Sequence, residues 1–94
     1  MTTHIVMLRF HNHADADEAA HRLSQMAGRI PGMTGLRVGT DHNGGPAAYH
    51  LVLITEHDSR EALKDYATHP VHVEVLEWLA GRISERAVVD TDSF

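Results

Sequence analysis

The chain contains no cysteine. That excludes disulfide staples, thiolate zinc sites and a thiol nucleophile. Basic charge is also scarce: 8 Lys and Arg stand against 13 Asp and Glu, a formal net charge of −5 with histidine neutral. A chain of that balance lacks the clustered cations that displace counterions from nucleic-acid phosphates or dock on an anionic membrane. Long apolar runs are missing too. The longest, Ile5–Leu8 and Leu51–Ile54, can neither span a bilayer nor form the apolar stretch of a secretion signal. Repeats, low-complexity segments and linkers are absent, so residues 1–94 read as a single domain. The expectation is a soluble, cytoplasmic protein. Hydrophobic residues make up 43% of the chain, enough for a real core, and 9 scattered histidines are the compositional oddity.

The order of elements follows from periodicity and turn chemistry. Met1–Phe10 reads as a strand with Ile5, Val6, Met7 and Leu8 apolar in succession. Asp15 with Glu18 resembles a capping box, and Ala16, Ala19, Ala20, Leu23, Met26, Ala27 and Ile30 continue with helical spacing until Gly28–Gly32 and Pro31 stop it. Met33–Thr40 alternates as a half-buried strand, and residues 41–46 are dense in turn formers. Ala47–Glu56 is a second strongly apolar strand. Asp58 with Glu61 opens a short helix to about Tyr66. Pro70 then suits the first position of another helix, with an apolar stripe of Val71, Val75, Trp78 and Leu79 and a stop at Gly81. Arg86–Asp90 is a last short strand.

A β-α-β-β-α-α-β order predicts an α+β fold in which a four-stranded antiparallel sheet carries its helices on one face. Yet the first and third strands are apolar on both faces. No residues remain to cover the helix-free face, which would otherwise expose an apolar patch of several hundred Å². A second copy of the same sheet covers it most economically, so a homodimer is expected.

The segment Asp65-Tyr66-Ala67-Thr68-His69-Pro70-Val71-His72-Val73 carries a Tyr, a His-Pro pair and a second His two residues after the proline. It resembles the signature of the stress-responsive dimeric α+β barrel (Dabb) family. Thr3-His4-Ile5-Val6-Met7-Leu8-Arg9-Phe10 and Tyr49-His50-Leu51-Val52-Leu53 are similar to that family's first and third strands. The resemblance implies a ferredoxin-like subunit whose sheet closes with its twin into a barrel. It extends to the family's polyketide cyclases, typified by olivetolic acid cyclase. These close a linear poly-β-ketone by intramolecular aldol condensation without a cofactor, using a Tyr and a His of the helical block and further strand histidines. By position those are Tyr66, His72, His4 and His50. Other dimeric barrels bind haem or act as monooxygenases, but no residue of this chain singles out a haem or other cofactor site.

Each residue also has a plain reading. His72 falls near the third position of the helix opened by Pro70, where the helix dipole disfavours a positive charge and a neutral imidazole can act as a general base. Tyr66 lies six residues earlier across the proline break, and helical spacing does not say whether the two meet. His69 is pushed toward extended backbone by Pro70 and reads first as a cap, with substrate contact as the functional alternative. His4 shares side-chain parity with Val6 and Leu8, and His50 with Val52 and Ile54; each is a polar group on an apolar strand face that needs a core partner or a substrate. His11, His13, His21, His42 and His57 read as solvated. No histidine spacing matches a metal motif, and Gly44-Gly45 lacks the strand, helix and lysine of a phosphate loop. The expected activity is cofactor-independent proton abstraction and aldol-type chemistry on a small polyketide-like or β-dicarbonyl substrate, with the barrel interior excluding water. The alternative is a non-catalytic barrel that binds an apolar ligand.

Overall fold

A computed structural model describes all of residues 1–94. The elements are β1 (Thr2–Phe10), α1 (Asp15–Ser24), β2 (Met33–Thr40), β3 (Leu51–His57), α2 (Arg60–Thr68), α3 (Pro70–Leu79) and β4 (Ile83–Thr91). The four strands form one antiparallel sheet in the order β2-β3-β1-β4, a ferredoxin-like βαββααβ fold.

The elements differ from the sequence reading at their ends, each for a local reason. α1 stops at Ser24 rather than near Ile30. The Ser24 hydroxyl turns back onto the His21 carbonyl, and Gly28 takes a positive φ of 75°. Met26 and Ile30 still enter the core, but from irregular turns, so their helical spacing misleads. No side chain caps α1 in the way the Asp15/Glu18 pattern suggests. α2 is capped one residue later than expected: the Ser59 hydroxyl, not Asp58, accepts from the Ala62 amide at 3.1 Å. β3 begins at Leu51, because a turn bonded from Ala48 N–H to the Gly45 carbonyl occupies the segment before it. β4 is longer than Arg86–Asp90, because β1 offers ladder partners from Thr3 to Phe10 whatever side chains β4 carries.

Strand alternation separates two chemistries. On the helix side, Val6, Leu8, Phe10, Leu51 and Leu53 pack with Ala19, Leu23, Met26 and Leu79 in one core. On the opposite face, Ile5 pairs with Ile54 and Val89, and Met7 with Val52 and Ala87. That apolar stripe stays open in the single subunit, with Met7 38%, Val52 36% and Val89 55% exposed. The both-faced apolar strands of the sequence thus resolve into one buried and one unpartnered face. No helix is long and apolar enough to cross a membrane.

Candidate active site

The break between α2 and α3 builds the site. His69 is extended (φ −66°, ψ 137°), as a residue before proline must be. Its Nδ1 accepts from the Val71 amide at 3.1 Å, which caps α3, and Pro70 occupies the position where a missing N–H costs nothing. The turn swings the start of α3 back over the end of α2. The rings of Tyr66 and His72 therefore lie 4.2 Å apart between centroids, across six residues of chain.

His72 Nδ1 lies 3.1 Å from the Ala67 carbonyl, one of the last carbonyls of α2. A carbonyl only accepts, so Nδ1–H donates and the lone pair of the neutral ring resides on Nε2. Burial lowers the His72 pKa, partly opposed by the bond to Ala67. The sequence reading expected a neutral ring from the helix dipole; the structure assigns that neutrality first to desolvation.

Tyr66 is 1% exposed, and burial pushes its phenol up to about 12. Its hydroxyl is buried without a hydrogen-bond partner. Two further imidazoles flank the ring. His4 meets it edge-on at 5.9 Å, and its Nδ1 is paired with the Asp90 carboxylate. His57 lies 4.9 Å away, fully buried, with Nε2 at 2.8 Å from the Thr55 hydroxyl and Nδ1 without a partner. Burial holds the His57 pKa below its usual value, and the neighbouring His4 adds to the effect.

A cavity of about 50 Å³ opens between the sheet and α3. His4, Tyr66, His72 and Arg86 line it together with apolar side chains that include Leu76 and Leu79. It lies on the helix side of the sheet, within one subunit. His4 reaches it because it shares parity with the core residues Val6 and Leu8, not with the open Ile5–Met7 face. Larger hollows lie elsewhere, about 430 Å³ beside the Arg60–Asp92 ion pair and about 290 Å³ beside Met7 and Val52. Neither gathers the Tyr66, His72 and His4 side chains.

The structure thus brings His4, Tyr66 and His72 together and leaves two candidates outside. His50 lies at the other end of β1, where its Nδ1 accepts from the Phe10 amide at 2.9 Å and its ring stacks on Phe10. It precedes β3 and completes the ladder through its own N–H to the Leu8 carbonyl. His69 does not line the cavity, because its ring is committed to capping α3. His57, read as solvated, is instead in the core. The signal was available: with β3 continued by one residue, His57 falls in phase with Leu51, Leu53 and Thr55. No three His, Asp or Glu side chains converge to hold a metal ion.

Residues 2–93 match the stress-responsive A/B barrel domain, Dabb. The chain belongs to this family. No curated protein matches it. Among solved structures, a dimeric Bacteroides fragilis protein of unknown function and ferredoxin-like fold superposes with a TM-score of 0.85 at 26% identity, covering 96% of this chain and 93% of that one. A dimeric ferredoxin-like protein of unknown function from Jannaschia sp. gives 0.78 at 26% identity, covering 97% of each chain. Both relatives are described as dimeric, which supports a homodimer of this Dabb chain. The hydroxynitrile lyase of Passiflora edulis is similar in fold, with a TM-score of 0.77 at 17% identity over 99% of this Dabb chain and 95% of that one.

Proposed function

We propose that this Dabb protein is a cofactor-independent acid–base catalyst of the olivetolic acid cyclase-like kind, acting on a small polyketide-like or β-dicarbonyl substrate. The observation that carries the reading is the pairing of a neutral, oriented imidazole with a buried phenol whose hydroxyl has no partner in the fold. His72 Nε2 accepts the α-proton, which two flanking carbonyls make acidic. The electron pair moves onto the carbonyl oxygen, where the Tyr66 hydroxyl donates to the forming enolate. His4, oriented by Asp90, is the second polar contact. The enolate carbon then attacks a second carbonyl of the same substrate, and His72 returns the proton to the new alkoxide.

Proton exchange tests this without knowledge of the natural substrate. In D₂O the protein should exchange the α-protons of a 3-oxo ester faster than buffer does, and His72→Ala should lower the enzymatic rate on the order of 10²–10⁴-fold. Exchange that stays at the buffer rate overturns the catalytic reading. The mostly apolar lining of the cavity favours a second reading, a barrel that holds an apolar ligand without chemistry. Binding of such a ligand with no exchange would put that reading first.

A further inference from the structure

Arg86 stands out among the cavity residues. It projects from β4 opposite Leu8 and is the one Lys or Arg side chain among those lining the cavity. No Asp or Glu lines it. The Asp90 carboxylate, two places along the same face of β4, is taken by His4. Arg9, Arg22 and Arg60 pair with Glu85, Glu18 and Asp92, and Arg82 donates to the Trp78 carbonyl. Arg86 takes part in no ion pair or side-chain hydrogen bond of this kind. A guanidinium at the rim of an apolar cavity, with its donors unspent, is built to take a planar anion in two-point contact.

We infer that Arg86 anchors the carboxylate of the substrate, so that the site takes 3-oxo acids in preference to their neutral esters. The inference rests on the acid–base reading above and specifies its substrate class.

The geometry supports this assignment from three sides. Arg86 is exposed while Tyr66 is buried, so the anion stays at the rim and the keto group reaches inward. About 50 Å³ is room for little more than a carbonyl and the carbon beside it, which suits a small inserted head and a tail left outside. The reaction also needs the charge. Removing the α-proton of a free 3-oxo acid would place a second negative charge, on the keto oxygen, close to that of the carboxylate, and Arg86 offsets the carboxylate's charge. Its field reaches both reacting groups: burial dominates the pKa values of Tyr66 and His72, and Arg86 pulls each of them down.

The test compares 3-oxooctanoate with its methyl ester by following the ring nitrogen signals of His72 in NMR titrations, assigned with His72→Ala. The wild type should bind the acid about ten- to a hundred-fold more tightly than the ester, the worth of one charge-assisted contact. Arg86→Gln should bring the acid down to the ester's affinity and leave the ester unchanged, while Arg86→Lys should retain part of the preference. Equal affinities in the wild type, with His72 responding to both probes, would overturn the carboxylate assignment and leave the Tyr66–His72 site standing. A preference that survives in Arg86→Gln would overturn Arg86 as the anchor. If neither probe moves His72, the site reading and the inference fall together.

Discussion

Tyr66→Phe should make this protein more stable and less active. The ring of Tyr66 fills the core beside His57 and His72, and phenylalanine keeps it. Only the hydroxyl is lost, and it is buried without a partner. Holding such a group in the interior costs about 1–3 kcal/mol. The void left by one oxygen atom costs less than about 1 kcal/mol. The variant should therefore gain roughly 1 kcal/mol, which in a domain of this size raises Tm by about 4–8 °C. Thermal and urea melts at equal protein concentration measure it, since a dimer's melting point depends on concentration. Alkaline pH supplies a second arm. The Tyr66 phenol ionises at about 12 when folded and at 10.0 when unfolded. Below the lower value both states keep the proton; above it the unfolded chain loses its proton first and gains the advantage. The margin of Tyr66→Phe over the wild type should thus widen as pH rises from about 10 toward 12. A variant that melts several degrees below the wild type would refute the reasoning. The hydroxyl would then hold a structural hydrogen bond and not be free for a substrate carbonyl.

Three further outcomes follow from the structure. Burial lowers the pKa values of His57 and His72 below their usual 6.5, so below about that pH the unfolded chain takes up protons that the folded chain refuses; the urea midpoint should fall as pH drops, and less steeply when both residues are glutamine. Gly32→Ala should cost about 2–4 kcal/mol by chemical denaturation, because φ is +82° and the new Cβ would lie 2.8 Å from that of Ala62. Gly44→Ala, at φ +71° with nothing within 4 Å, should cost only about 1 kcal/mol. Met7→Glu, placed in the open stripe between Val52 and Ala87, should convert a particle of twice 10.4 kDa in light scattering into one of 10.4 kDa while leaving the circular dichroism of the subunit intact.

Much of the architecture was legible in the chain itself, because it rests on local chemistry. The unbroken apolar runs at Ile5–Leu8 and Leu51–Ile54, the helical spacing from Ala16 to Leu23 and the Pro70 helix start are set by neighbouring residues, and they yield the order of elements. That one sheet face lacks a partner was legible for the same reason: both parities of these runs are apolar, and the helices can cover only one of them; which parity stays open is shown by the packing. Helix ends were less so. Met26 and Ile30 are apolar at helical intervals, yet a serine back-bond and a left-handed glycine end the helix before them.

The candidate site needed the tertiary structure. Tyr66 and His72 are separated by a proline break whose turn angle no spacing rule supplies, and only the fold brings their rings to 4.2 Å. His4, His57 and Arg86 join them from three strands, so the site is a product of register between segments more than fifty residues apart in the chain. Register also moved His50 away, to the far end of β1, where it serves the backbone of Phe10. Residue types show which side chains can carry a proton. Which of them share one cavity is decided by how the strands align and how the helices pack on them, because burial is a property of the whole fold and not of any one segment.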